Sequence, residues 1–373
     1  MTSIGFSNYK TPVIKKDQPD DNYKYQPAPS PSGQYPYHLS LQEIIPEVNT
    51  GQTVFHMLGD TGSIINPEFQ HLVASEMAKQ YDTSEENKPQ FLFHLGDVVY
   101  TFGEADRYHT QFFEPYQKYP APIFAIAGNH DSDVNPNASP YKSLDAFKAV
   151  FCDTEPRKVS FGGNVSRKSM VQPNIYWTLK TPLANMIGLH SNVPKYGIIT
   201  PEQQSWFKEE LKAAALEKGE KFLILCLHHA PYSADVNHGA SIPMITLLEE
   251  IFVETGVRPD IVFSGHVHNY QRFSKQYPDG ATVPFIVAGA GGYDELHPVA
   301  STDDARFRND SRLFDGVSLE KYCDDRHGFL KIAITKNSNG LTLNGQYYTI
   351  PHKKINELDW KSSLADEFTV HRK

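Results

Sequence analysis

Seven short apolar runs dominate the pattern of this chain, at 53–58, 91–95, 122–127, 185–190, 221–227, 260–265 and 284–289. A strand with one exposed face alternates apolar and polar residues, whereas continuous apolar runs of this length are typical of strands buried on both faces. Amphipathic segments between the runs predict helices at about 67–81, 106–117, 142–151, 201–217 and 242–255. The chain is therefore predicted to be an α/β sandwich with its ligands at the ends of strands.

The two ends of the chain lack this alternation. Residues 1–50 are rich in Pro, Tyr, Gln and Asp and show no helical or strand period, so they predict an extended N-terminal arm over the main domain. The main domain is placed at 51–350, and its last part predicts a hairpin of 328–335 with 341–350. Residues 351–373 are interpreted as a C-terminal tail.

The composition of the chain argues against nucleic-acid and membrane partners. The chain has 35 Lys and Arg against 44 Asp and Glu, a net charge of −9, which argues against a nucleic-acid-binding surface. No apolar stretch approaches the ~20 residues of a membrane span, and the N-terminus has no apolar signal segment, so a cytoplasmic protein without membrane contact is the default expectation. Three scattered cysteines predict neither a disulfide framework nor a thiolate metal site. The sequence gives no indication of oligomeric state.

Five polar clusters directly follow apolar runs: GDTG at 59–62, GDVVY at 96–100, GNHD at 128–131, LHHAPYS at 227–233 and GHVH at 265–268. A glycine before the polar residue lets the chain turn sharply at the strand end and lets backbone approach a metal closely. Carboxylate, phenol, amide and imidazole groups together suit two first-row metal ions rather than calcium or a thiolate zinc site. The candidate ligands are Asp60, Asp97, Tyr100, Asn129, His229, His266 and His268.

The order of these clusters resembles that of the calcineurin-like metallophosphoesterases over residues 53–270. The resemblance implies a four-layer α/β/β/α metallophosphoesterase sandwich with mixed sheets, a metal site at the strand ends and a catalytic domain at 51–350. Most members carry a histidine two residues after the first Asp, where this chain has Gly62. Tyr100 supplies a replacement, because the GDxxY pattern is typical of purple acid phosphatases and a phenolate favours Fe(III).

The purple acid phosphatase resemblance implies roles for the candidate ligands. Fe(III) would be held by Asp60, Asp97, Tyr100 and His268. Asp97 would bridge to a divalent ion, Fe, Zn or Mn, which would also be held by Asn129, His229 and His266. His229 is chosen over His228 because it directly precedes the Ala-Pro-Tyr turn, as the ligand does in the family, and His228 is interpreted as a strand-end or outer residue.

Three further residues are candidate catalytic groups. His130 follows Asn129, and Asp131 is predicted to orient its imidazole. His238 lies nine residues after His229, an interval similar to that in the mammalian, tartrate-resistant type of purple acid phosphatase. His130 and His238 would face the substrate phosphate. Arg272, Tyr232 and Tyr293 are additional candidates for contact with substrate.

The function expected from this resemblance is metal-dependent hydrolysis of phosphate monoesters, of the acid phosphatase type, on a small phosphorylated substrate. One alternative keeps the fold and changes the substrate, giving a phosphodiesterase or nucleotide hydrolase with a pair of Mn, Zn or Fe(II) ions. A second alternative is a metal- or phosphate-binding module without catalysis, which is less favoured because every ligand position is filled.

Overall fold

Two mixed β-sheets form the centre of the computed structural model, which describes residues 14–15, 27–81, 87–191, 197–300, 312–338, 340–351 and 361–372. In chain order the elements are β1 (Ile14–Lys15), β2 (His38–Ser40), α1 (Leu41–Ile44), β3 (Gln52–Leu58), α2 (Glu68–Lys79), β4 (Phe91–His94), a π-helical turn (His109–Phe113), β5 (Ile123–Ala125), α3 (Asn129–Ser132), α4 (Asp145–Phe151), β6 (Trp177–Lys180), β7 (Ala184–Gly188), α5 (Pro201–Ala215), β8 (Phe222–Leu227), β9 (Ala240–Ser241), α6 (Ile242–Thr255), β10 (Ile261–Ser264), β11 (Tyr270–Gln276), β12 (Thr282–Ala288), a 3-10 turn (Arg312–Phe314), β13 (Val317–Cys323), β14 (Gly328–Asn337), β15 (Gly340–Thr349) and β16 (Ser363–Arg372).

The first sheet has six strands in the order β16–β15–β14–β3–β4–β5. Strands β3, β4 and β5 pair in parallel, whereas β14 pairs antiparallel to β3. The carboxyl ends of parallel strands lie at the same edge of a sheet, which is where open α/β sheets bind ligands. The loops after Leu58, His94 and Ala125 therefore leave the sheet side by side.

The second sheet has eight strands in the order β13–β11–β12–β10–β8–β7–β6–β2. Its central strands β7, β8, β10 and β12 are parallel, and β6 and β11 pair antiparallel to their inner neighbours. The loops after β8 and β10 consequently leave this sheet next to each other, as the loops after β3, β4 and β5 do in the first.

The two sheets share one apolar core. A single buried cluster includes Phe55 of β3, Leu225 of β8 and Phe285 of β12. Helix α2 contacts the six-stranded sheet at β14, and α5 contacts the eight-stranded sheet at β7. The predicted sandwich with helices on both outer faces is confirmed. Among the described residues, no helix combines the length and apolar character needed to cross a bilayer.

Most predicted helices are present with shifted ends. Helix α5 begins at Pro201 as expected, because the side chain of Thr200 accepts a hydrogen bond from the backbone N–H of Gln203. The segment at 106–117 differs, since its regular part is one π-helical turn closed by the N–H of Glu114 on the carbonyl of His109. Pro115 follows directly and lacks the backbone N–H that a longer helix would need.

Both predicted end segments contribute to the sheets. Within the arm placed at 1–50, β2 pairs with β6 and buries Leu39, while residues 1–13 and 16–26 lie outside the described residues. Within the tail placed at 351–373, β16 pairs antiparallel to β15 along the sheet edge, while 352–360 and 373 lie outside the described residues. The boundary drawn at 350 thus passes through the six-stranded sheet.

Candidate metal centre

The polar residues of the five sequence clusters lie where the central strands of both sheets end. Asp60, Asp97 and His266 have φ angles of 59°, 53° and 69°. Non-glycine residues rarely adopt this left-handed backbone, and such strain persists where the surrounding structure fixes it, often at functional sites. All three are predicted ligands, and two further non-glycine residues, Tyr37 and Leu144, share this backbone away from the motifs. Left-handed backbone is thus concentrated at the predicted ligands without being confined to them.

One group of side chains surrounds the hydroxyl of Tyr100. Its oxygen lies 3.0 Å from Asp97 Oδ2, 3.3 Å from Asp60 Oδ1 and 3.3 Å from His268 Nε2. All four side chains are buried, and the most exposed of them, His268, is 5% exposed. The structure thus brings together the four residues that the sequence analysis placed around Fe(III).

A second group surrounds the side-chain oxygen of Asn129. This Oδ1 atom lies 3.0 Å from His266 Nδ1 and 3.1 Å from His228 Nε2. The ring of His229 lies 4.5 Å from that of His266. Asp97 Oδ2 lies 3.3 Å from His228 Nε2, so this carboxylate touches both groups. Asp97 therefore occupies the position expected of a bridging ligand.

Both histidines of the His228–His229 pair are directed at this second group. His228 Nδ1 lies 2.8 Å from the carbonyl oxygen of Leu95, which can only accept, so Nδ1 carries a proton and Nε2 faces the site. His229 Nδ1 lies 2.7 Å from the hydroxyl oxygen of Ser191. His228 is predicted to be a strand-end or outer residue, and its Nε2 contacts the side-chain oxygens of Asn129 and Asp97.

Close packing leaves no room for a side chain at Gly62, where most family members carry a histidine. A Cβ atom at Gly62 would lie 2.8 Å from the Cα of Val99, so no side chain fits there. The backbone of Tyr100 is held by Gln111, whose amide oxygen accepts from its N–H at 2.7 Å and whose amide nitrogen donates to its carbonyl at 2.8 Å. Sequence reasoning missed Gln111, because it lies on the π-helical turn outside every motif.

Asp131 has a different role from the predicted one. Its carboxylate accepts hydrogen bonds from the backbone N–H groups of Val98 at 3.0 Å and Gly128 at 2.9 Å, and so joins two ligand loops. The Nδ1 atom of His130 lies instead 2.7 Å from the carbonyl oxygen of Thr101. The prediction that Asp131 orients the imidazole of His130 is wrong, because its oxygens are turned toward the backbone.

The two predicted outer histidines lie beside the ligands. The ring of His130 lies 4.3 Å from that of Tyr100, and the ring of His238 lies 4.3 Å from that of His266. Tyr293, a candidate substrate contact, lies 4.1 Å from Tyr100, ring to ring. These side chains border the predicted ligands, and ligand atoms of His238, His268 and His297 lie within 4.8 Å of one another.

Two other candidates for substrate contact lie elsewhere. Arg272 donates to both carboxylate oxygens of Asp366, at 2.7 and 3.1 Å, and so links β11 to β16. The Tyr232 hydroxyl accepts from Lys275 Nζ at 2.7 Å. Both side chains form contacts between elements of the fold, which favours a structural role for them.

His297 was not predicted and lies at the same border. Its ring stacks on that of His268 at 4.4 Å and lies 4.8 Å from that of His238. It is 7% exposed. No sequence motif surrounds His297. The available signal was the glycine-rich exit from β12, at Gly289, Gly291 and Gly292, which is another end of a buried strand.

The electrostatics of the two groups fit bound cations. Burial raises the pKa of Asp60 and of Tyr100 well above their usual ranges, because the anionic forms lose hydration. Burial and neighbouring imidazoles lower the pKa of His266 and His268, which favours neutral rings with lone pairs. Burial opposes protonation of His228, but the negative charge of Asp97, 3.3 Å away, raises the pKa of His228 to about 9. Buried carboxylates and the neutral rings of His266 and His268 are donors that metal cations stabilise.

Comparison with known proteins supports the same family. The family model described as calcineurin-like phosphoesterase matches residues 54–270. The Fe(3+)-Zn(2+) purple acid phosphatase 12 of Arabidopsis thaliana is 28% identical over 230 residues, which cover 58% of this chain and 43% of that protein. Purple acid phosphatase 1 of Ipomoea batatas is 28% identical over 231 residues, 59% of this chain and 42% of that protein. The matched part of this chain thus spans less than half the length of these relatives.

Solved structures agree at the level of the fold. GAP50, described as the anchor in the inner membrane complex of Plasmodium, has a TM-score of 0.56 at 15% identity, covering 87% of this chain and 90% of that one. PhoD has a TM-score of 0.51 at 13% identity, covering 87% and 70%. The motifs, their convergence at the strand ends and the family match lead to one conclusion: this chain belongs to the calcineurin-like phosphoesterase family.

Proposed function

We propose that this chain hydrolyses phosphate monoesters with a dinuclear centre of Fe(III) and a divalent ion, Fe, Zn or Mn. The observation that carries the proposal is the group around the Tyr100 hydroxyl, where two carboxylates and an imidazole lie within 3.3 Å. Burial and the two neighbouring carboxylates raise the pKa of the Tyr100 phenol well above its usual range, so a bound cation would favour its ionised form. The purple acid phosphatase relatives support the same assignment.

The residues present divide into two ligand sets. Asp60, Asp97, Tyr100 and His268 would hold the ferric ion. Asp97, Asn129, His229 and His266 would hold the divalent ion, with His228 Nε2 within 3.3 Å of two of their oxygens. A metal pair supplies a water of lowered pKa and offsets the negative charge of the phosphate.

The residues at the border would bind the phosphoryl group and transfer protons. His130 Nδ1 faces the Thr101 carbonyl, so this nitrogen keeps its proton and Nε2 is the atom that gains or loses one. A protonated Nε2 can donate to the leaving alkoxide as the P–O bond breaks. The ring of His238 lies 4.3 Å from that of His266, where an N–H donor can hold a phosphoryl oxygen.

A small phosphorylated molecule is the substrate class that fits. The chain carries a net charge of −9, so an anionic substrate is bound by the local site and not by a positive surface. Rates measured on a monoester and a diester with the same leaving group decide between a phosphomonoesterase and the alternative, a phosphodiesterase or nucleotide hydrolase. A higher specificity constant for the diester would contradict the monoester assignment.

The ferric assignment is tested by metal analysis with the visible spectrum. A phenolate bound to Fe(III) gives a charge-transfer band, so the oxidised protein is expected to be coloured and to contain one iron and one further metal. Tyr100→Phe removes the phenolate and should bleach the band, whereas Tyr348→Phe, a change on the distant strand β15, should leave it intact. A colourless wild-type protein with stoichiometric Zn or Mn would contradict the ferric site and leave phosphoester hydrolysis open to direct assay.

A further inference from the structure

Two loops that border the metal-ligand groups are joined to each other. The first, 233–239, follows β8, and the second, 291–300, follows β12. The N–H of Val236 donates to the carbonyl oxygen of Pro298 at 3.2 Å. The N–H of Ala300 donates to the carbonyl oxygen of Ala234 at 2.8 Å. The loop that carries His238 is therefore fixed by the loop that carries His297.

Asp235 is the centre of this junction. Its side chain is completely buried, and Oδ1 accepts from the backbone N–H groups of Asn237 at 2.7 Å and His238 at 2.6 Å. Oδ2 accepts from the amide of Asn269 at 3.2 Å and lies 3.5 Å from Nδ1 of His297. One carboxylate thus accepts hydrogen bonds from the backbone beside one border histidine and lies within ion-pair distance of the ring of another.

His297 uses its polar atoms to contact other residues of the site. Its backbone N–H donates to the carbonyl of His268 at 3.0 Å. Its Nε2 lies 3.1 Å from the amide nitrogen of Asn237, which can only donate, so Nε2 accepts and the ring proton sits on Nδ1, toward Asp235. The resulting chain Asp235–His297–Asn237 ends at a residue next to His238 that is partly exposed.

This chain of contacts differs from simple space filling. A buried imidazole that only fills space can be satisfied by any hydrogen-bond partner. His297 instead lies between a buried carboxylate and the exposed end of the loop that carries His238. Its ring also stacks on His268, a predicted ligand, at 4.4 Å. Outer residues that orient ligands and substrate-binding groups commonly act through such hydrogen bonds.

We propose that His297 is a positioning residue for substrate binding: with Asp235 it holds the side chains of Asn237 and His238 where they bind the phosphoryl group of the substrate. The inference rests on the proposed phosphoesterase function. It assigns His297, on the loop after β12, a part in substrate affinity that no sequence motif of this chain indicates.

The test compares metal-loaded wild-type protein with His297→Ala, His297→Gln and the exposed control His371→Ala. The readouts are metals per chain, kcat and KM on an aryl phosphate, and the Kd of inorganic phosphate by calorimetry. His297→Ala should keep both metals and raise KM and the phosphate Kd about tenfold or more, the scale of a lost hydrogen bond to a charged group, while kcat changes much less. His297→Gln should recover part of the affinity, because its amide can accept from Asn237. His371→Ala should match wild type.

A double-mutant cycle provides the second test. Asn237→Ala is a change at a partly exposed position, and it should raise the phosphate Kd by itself. Because His297 acts through Asn237, the double variant with His297→Ala should be little worse than either single variant. If His297→Ala does not fold, the same cycle is made with His297→Gln.

Several outcomes would overturn the inference. Unchanged KM and phosphate Kd in His297→Ala with only a lower melting temperature would show a space-filling residue. Loss of metal would show a ligand. Fully additive effects in the cycle would show that Asn237 and His297 act independently. A wild-type protein that hydrolyses no phosphate ester would defeat the proposed function, yet the phosphate Kd values would still decide the role of His297.

Discussion

The predicted metal ligands are held in place differently from the residues beside them, here called the border residues: His130, His238, Tyr293 and His297. Asp60, Asp97 and His266 each lie within a few residues of a buried strand and have a left-handed backbone, a conformation that costs about 1–3 kcal/mol at a non-glycine residue. His238 and His297 lie on longer loops, and contacts between loops determine their positions. The strands of the sheets determine the positions of the predicted ligands. Hydrogen bonds between loops determine the positions of the border residues.

This difference has a functional meaning. A metal site needs donors at fixed distances, and strand ends in a packed sandwich provide them because the core resists movement. Substrate-binding loops can vary without disturbing that site. Changes at strand ends should therefore alter metal content, whereas changes at the border should alter turnover or affinity with the metals in place. The following predictions test that division, from the largest expected effect to the smallest.

Asp97→Asn should have the largest effect. Asp97 is the one predicted ligand of both ions, and its carboxylate lies 3.0 Å from the Tyr100 hydroxyl and 3.3 Å from His228 Nε2. A neutral amide removes the charge that both ions need, so metal analysis should show loss of both and activity should fall below detection. Asp279→Asn, at an exposed position paired with Arg258, is the control. Two metals retained per chain in Asp97→Asn would show that the bridging role is misassigned.

Substitutions of His228 and His229 should distinguish a metal ligand from an outer residue that contacts the ligands. His229→Ala is expected to lose the divalent ion and keep iron, because His229 is the predicted ligand. His228→Ala should keep both ions with about 10–100-fold weaker binding of the divalent ion, the usual cost of removing an outer partner. Metal titration of the two variants measures this. The reverse result would make His228, whose Nε2 faces Asn129 and Asp97, the ligand.

The border histidines should change turnover with normal metal content. General acid catalysis contributes ~10²–10⁴-fold, so the variant that removes the acid should lose that factor in kcat on an alkyl phosphate and much less on an activated aryl phosphate. The variant that removes phosphate binding should raise KM on both substrates. His130→Ala and His238→Ala are compared with the exposed His71→Ala. Metal loss in either variant would show a ligand, and full activity on alkyl esters in both would exclude them from protonation.

The sequence predicted the candidate site because each of its polar clusters directly follows an apolar run, such as 53–58, that forms a buried strand. It did not predict strands β13 and β16, whose residues are mostly exposed or half-exposed and give no apolar run. Gln111 and His297 were missed for a related reason. Their positions depend on tertiary contacts between loops, and no local spacing records such contacts.

The smallest effect is expected from removal of residues 1–26, which tests how far the border depends on the N-terminal arm. Strand β1 pairs in parallel with β9, Ile14 with Ala240 and Lys15 with Ser241, directly after the loop that carries His238. The deletion keeps the contact of Lys148 with the Ser30 carbonyl. Loss of this short pairing removes about 1 kcal/mol from a border loop, so KM should rise by no more than about fivefold.

Metal content and the visible spectrum of the deletion variant should equal those of wild type, because β1 pairs with β9 and no predicted ligand lies on either strand. Calorimetry should show a higher Kd for inorganic phosphate in the deletion variant, because the deletion affects the border residues and leaves the predicted ligands in place. A variant that loses metal or solubility would show that the arm supports the strand ends themselves, and the division between ligands set by the sheets and a border set by loop contacts would then fail at this end of the molecule.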